Sequence, residues 1–87
     1  MKEVKRTLLL LIEKAALFGL RKEDLDNVKD LIAHHEFGLG LDTLVTQLHE
    51  YNIEIDQDTY DMISEVSIKM DIPVEHFSFL KELIKKQ

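Results

Sequence analysis

Cysteine is missing from this chain of 87 residues, proline occurs once and glycine three times. Without cysteine there is no disulfide framework, no thiolate zinc site and no cysteine nucleophile. That usage suits a reducing compartment, and a cytoplasmic location is expected. Scarce Gly and Pro argue for helices joined by short connections, with neither a linker nor an internal repeat in view. Long apolar runs are also lacking. Leu8 to Ile12 follows Lys2, Lys5 and Arg6 in faint imitation of a signal peptide, but Glu13 and Lys14 end the run and no small-residue cleavage site follows. A membrane span would need about 18 apolar residues. The most informative absence is one of charge. From Asp30 to Val66 there are nine carboxylates and no Lys or Arg, while all eleven basic residues lie outside that stretch.

The overall balance, 45% hydrophobic and 32% charged, is that of one ordinary small globular domain. A formal net charge of -6, segregated in this way, implies a surface field with a direction, suited to steering a basic partner. The same charge repels the phosphate backbone that dominates nucleic-acid affinity, so no direct nucleic-acid binding is expected.

Helical spacing divides the chain into a compact all-α bundle of four or five short helices. The first is expected from Lys2 to Phe18, with Val4, Leu8, Leu11, Ile12 and Ala15 in one stripe, Leu9 and Leu10 widening it, and Gly19 as the stop. A second spans about Lys22 to His35, with Leu25, Val28, Leu31 and Ile32 inward and Glu23, Asp24 and Asp26 near its positive end. In the third, Leu41, Leu44, Val45 and Leu48 turn inward and leave Asp42, Thr46, His49 and Glu50 outside. Asn52 to Ile55 connects it to a fourth, capped by Asp56 and reaching about Met70. There Tyr60, Ile63, Ser67 and Met70 share one stripe, whereas Asp58, Asp61 and Glu65 repeat at spacings of three and four on another. Pro73 opens a fifth helix running to Lys85, with Phe77, Leu80, Leu83 and Ile84 inward, Phe79 off the stripe, and Lys85 and Lys86 complementing its dipole.

Several chemistries can be weighed against these positions. Asp56, Asp58 and Asp61 suggest the opening of a calcium loop, but position six would be Asp61 where Gly is needed and position twelve Ser67 where Glu is needed. Helix capping accounts for Asp56 and Asp58 better. His34 and His35 are adjacent, about 100 degrees apart on a helix, and cannot chelate one metal together. His49 and His76 stand alone, so no metal and no cofactor is expected. An acid–base pair such as Asp61 and Glu65 would need a concave site to drive its pKa values apart, and a convex helix face offers none. With no phosphate loop, nucleophile elbow or triad spacing, the chain does not read as an enzyme. A solvated, solubilising surface is the plain reading of the acids. Their complete freedom from Lys and Arg favours a partner instead.

The segments Glu36 to Leu44, Gln47 to Tyr51, Asp56 to Ile63 and Ile72 to Lys81 together resemble the MafI-type immunity proteins, a likeness covering the chain from Leu20 onward. Glu36, Phe37 and Gly38 match the family's acid, aromatic and glycine opening of the third helix, and Asp58, Tyr60 and Ile63 its acid, tyrosine and apolar residue in the fourth. Arg21 and Lys22 depart from it where a Ser-like cap is usual. Gly40 replaces a better helix former, at about 1 kcal/mol in a helix interior. The resemblance implies a small helical cytoplasmic bacterial protein that neutralises a toxin of a contact-dependent growth inhibition or polymorphic toxin system. The toxin it implies is an EndoU-type ribonuclease with a cationic cleft.

The expectation is therefore a non-enzymatic immunity protein that occludes such a cleft by an acidic helical face, its acids standing in for phosphate. The candidate contacts are Asp42, Glu50, Tyr51, Glu54, Asp58, Asp61 and Glu65, with Tyr51 as aromatic anchor. The competing reading is a small helical adaptor or regulatory module docking through apolar residues such as Phe79 and Ile53. A third is a homodimer in which the acidic face meets the chain's own basic ends, though a homo-oligomer is not expected.

Overall fold

The first helix, α1, runs from Lys2 to Phe18 in the computed structural model, which describes residues 2–85, and it buries Val4, Leu8, Leu11, Ile12 and Ala15. It is followed by α2 (Lys22–Ala33), α3 (Phe37–Glu50), α4 (Gln57–Lys69) and a C-terminal 3-10 segment (Val74–Leu83). The protein is an all-α bundle. α1 is central, touching α2, α3 and α4; α2 packs on α3, and the 3-10 segment bridges α3 and α4. The buried apolar residues form one cluster from Val4 to Leu83. Leu8, Val28, Val45, Ile63 and Leu80 are fully enclosed in it. Truncating such a leucine to alanine typically costs about 2–5 kcal/mol.

Several of the expected features are corrected. Leu9 and Leu10 do not widen the buried stripe of α1. They are 43% and 46% exposed, because the turn of the helix sets them on the side away from Val4, Leu8, Leu11, Ile12 and Ala15. The fifth helix is not α-helical, and it stops at Leu83. Val74, Phe77, Leu80 and Leu83 recur every third residue, and only the threefold repeat of a 3-10 helix keeps such a series on one edge. Phe77, Leu80 and Leu83 are buried along that edge. Ile84 is only partly buried, and Lys86 lies outside the described residues. Beyond the segment, the Ile55 amide donates to the Leu83 carbonyl (2.9 Å) and the Lys85 amide to the Ile55 carbonyl (2.8 Å), an isolated parallel bridge.

All four α-helices end the same way. In α1 the Leu20 amide reaches the Ala15 carbonyl (3.0 Å) and the Gly19 amide reaches Ala16 (3.2 Å), with Gly19 at φ 106. This is the Schellman arrangement. α2, α3 and α4 repeat it around His35, Asn52 and Asp71, at φ 59, 51 and 58. α2 accordingly ends at Ala33 rather than His35. After these reversals Leu20, Ile53 and Ile72 fold back against the core, so the turns at Asn52 and Asp71 close on an apolar residue without glycine, whereas the turn at His35 is followed by the exposed Glu36.

At their other ends the helices differ. Asp56 caps α4, its carboxylate accepting from the Thr59 amide (2.8 Å) and hydroxyl (2.5 Å). Arg21 precedes α2 without capping it by side chain. Gly40 has a packing role, since a Cβ there would stand 3.2 Å from Ile32 Cγ1. The glycine lets α3 close on α2, which accounts for its place in a helix interior.

Candidate functional site

The outward face of α4 is built by a simple division of the helix. Thr59, Tyr60, Ile63, Val66 and Ser67 turn into the core, and this leaves Asp58, Asp61 and Glu65 in solvent. Ser67 can sit inside because its hydroxyl donates to the Ile63 carbonyl (2.7 Å). Asp58 is met by Lys14 of α1, whose Nζ lies 3.3 Å from Asp58 Oδ2 and 3.9 Å from Asp56 Oδ2. Asp61 accepts from the Gln57 side-chain amide (2.9 Å). Glu65 has no ion-pair partner among the described residues. Glu54 is exposed in the connection before α4, beside Asp56, Phe18 and Lys85 at the rim of a depression of about 240 Å³. The Thr59 hydrogen bonds, with Lys14 adding to them, hold the Asp56 carboxyl below its usual value.

The other three candidates lie along α3 and its C-cap, and two of them, Asp42 and Tyr51, are engaged within the molecule. Asp42 faces His76 of the 3-10 segment at 3.8 Å. Glu50 is exposed in the last turn, where the carboxylate opposes the helix dipole. Tyr51 carries the Arg21 guanidinium over its ring, 4.4 Å from the centroid. Among the described residues α3 and α4 do not pack directly on each other; α1 and the 3-10 segment touch both. The seven candidates thus form two groups. Glu54, Asp58, Asp61 and Glu65 stand together on α4 and its approach, and Asp42, Glu50 and Tyr51 along α3.

Sequence reasoning missed several charged partners. Asp24 is buried, and its carboxylate accepts from Gln47 Nε2 (2.7 Å) and Arg21 Nε (3.1 Å), joining the start of α2 to α3. Those bonds, Gln47's foremost, lower the Asp24 pKa, and the bond to Asp24 raises that of Arg21. The Arg21–Asp24 spacing was visible in the sequence, but nothing there signalled Gln47. His49 Nε2 lies 2.7 Å from Glu82 Oε1, and its ring meets Phe79 edge-on at 4.9 Å. Lys69 pairs with Glu3 (3.2 Å), so the basic residue of α4 is drawn toward α1 and away from the acidic row.

Among the described residues no cluster of three or more His, Asp or Glu side chains is assembled that could hold a metal ion. No helix among them is long and apolar enough to cross a membrane. Compared with family models, curated proteins and solved structures, the chain matches none of them.

Proposed function

We propose that the chain is an immunity protein that binds a basic partner, a ribonuclease toxin domain of the EndoU-like kind, and occludes its cationic cleft with the outer face of α4. The observation that carries this reading is that Glu50, Glu54, Asp61 and Glu65 are exposed carboxylates with no Lys, Arg or His nitrogen within 4.0 Å among the described residues. Three of them stand on α4 and its approach. Like charges so placed cost an isolated helix a few tenths of a kcal/mol per pair, about 0.2–0.5, and a partner supplying cations removes that cost. Held on a packed helix, the acids keep their spacing before the partner arrives, which limits the ordering needed on association.

Asp58, Asp61, Glu65 and Glu54 are the principal contacts in this reading. Asp42, Glu50 and Tyr51 are secondary because they stand along α3, apart from the α4 row; Asp58 must give up Lys14, as Asp42 must give up His76 and Tyr51 Arg21, to serve as a contact. The adaptor alternative rests on Phe79 alone of its two named residues: Phe79 is 41% exposed beside His49, whereas Ile53 packs against the core.

Stopped-flow association with an EndoU-type toxin domain, at low and high salt, tests the proposal. Electrostatic steering should give fast association at low salt, toward ~10⁸ M⁻¹s⁻¹, that slows as salt rises. The combined Asp58→Lys, Asp61→Lys and Glu65→Lys variant should associate at least about tenfold more slowly and lose the salt dependence. Unchanged kinetics in that variant would exclude occlusion by α4.

A further inference from the structure

We infer that the outward face of α1 is a self-association surface, on which a second copy of the chain packs antiparallel. Leu9 and Leu10 are 43% and 46% exposed and Leu17 is 85% exposed, all on the one helix that is otherwise the centre of the bundle. With Lys2, Lys5, Arg6 and Glu13, the first two line a shallow depression of about 400 Å³. Lys2, Arg6, Leu9 and Glu13 follow one another at spacings of four, three and four, so they lie along a single outward line, as in a two-helix seam.

The charges on that line identify the occupant. Arg6 and Glu13 are seven residues apart, about 10 Å along the axis, too far to pair within one helix. An antiparallel copy, centred between Leu9 and Leu10, sets Arg6 of each chain opposite Glu13 of the other. It also sets Leu9 against Leu10 of the other copy, and Leu17 against Lys2, whose aliphatic stem can cover the leucine while its ammonium stays in water. The surface is thus complementary to itself in charge and in apolar content, as a two-fold interface requires. An anionic membrane, which basic residues beside leucines also suit, would have to overcome the formal charge of -6 carried by the whole chain. No acid of α4 belongs to this face, so it is separate from the surface assigned to the toxin.

Sedimentation equilibrium of the full chain over a range of concentrations provides the test. The mass should rise from 10.2 kDa toward twice that value. Arg6→Glu and Glu13→Arg should each weaken the dimer at least about tenfold, and the double exchange should restore it to within about threefold. Leu17→Ser, at the most exposed leucine, should weaken it too. The Asp58→Lys, Asp61→Lys and Glu65→Lys variant should dimerise as the native chain does, which separates this surface from the acidic face. Circular dichroism establishes that each variant retains its helices. A chain monomeric at every concentration overturns the inference, as does a dimer indifferent to the charge reversals. Monomers that instead co-sediment with phosphatidylglycerol vesicles through Leu9, Leu10 and Arg6 overturn it as well, in favour of a lipid surface.

Discussion

Asp24 offers the sharpest test of how the bundle is held together. The residue is 5% exposed, and its carboxylate accepts a short hydrogen bond from Gln47 on α3 and another from Arg21 at the head of α2, which hold its pKa low and favour the ionised form. A hydrogen bond to a charged group contributes about 1.5–3 kcal/mol, and the half-exposed Arg21 adds little to it. Asp24→Ala should therefore cost about 2 kcal/mol. Asp24→Asn, which keeps an acceptor but loses the charge, should cost about half as much, since charge-assisted bonds are roughly twice as strong as neutral ones. For a chain of this length those losses lower Tm by about 10 °C and about 5 °C respectively.

The pH dependence has a definite sign. Because the folded pKa lies below the ordinary 3.8, this stability is present above that value and is lost as pH falls through the folded pKa. Urea denaturation followed by circular dichroism from neutral to acid pH is the assay. The difference between native chain and Asp24→Asn should be flat from pH 7 to about 5 and should close at still lower pH. A difference that persists unchanged in acid, or none at pH 7, would refute the assignment of the bond to an ionised Asp24.

Two further predictions concern glycine and the left-handed turns. Asp71 holds φ 58 at the carboxyl end of α4, where both the backbone conformation and the negative charge are unfavourable, so Asp71→Gly should raise stability by about 1 kcal/mol in the same assay. Gly38→Ala should stabilise α3 by a few tenths of a kcal/mol, less than the roughly 0.5–1 kcal/mol of a helix interior because Gly38 lies in the first turn, since a Cβ there meets nothing within 4 Å. Gly40→Ala should gain nothing from the same exchange, because Ile32 must yield; equal gains at both positions would contradict the tight approach of α2 and α3.

The end of α1 and the start of α4 were legible because apolar spacing and a glycine or a clear cap coincide there, at Gly19 and at Asp56. The 3-10 segment was legible only as some helix, for the apolar positions Phe77, Leu80, Leu83 and Ile84 fit the stripe of an α-helix, and only the strict three-residue recurrence of Val74, Phe77, Leu80 and Leu83 marks the tighter form. His35, Asn52 and Asp71 carried little sign of their turns. The turns at Asn52 and Asp71 are closed by Ile53 and Ile72, whose burial is decided by the rest of the fold, and the turn at His35 has no such residue. At the candidate site, the exposure of the α4 acids followed from periodicity. The placing of Lys14 beside Asp58 and the separation of α3 from α4 did not, because both depend on which helices become neighbours in space.

The bridge between Ile55 and Ile84 has a consequence for the order in which the molecule assembles. Most of its contacts join elements that follow one another in the chain, a pattern associated with rapid folding. The bridge joins strands of backbone separated by all of α4 and the 3-10 segment, so the entropy of closing that loop must be overcome before either hydrogen bond can form. We expect the amides of Ile55 and Lys85 to be protected late in refolding and released early, together, in native-state hydrogen exchange. Amides of α1, which touches three other helices, should exchange only through global unfolding. Early protection at Lys85 would show that the latch closes before the bundle it fastens.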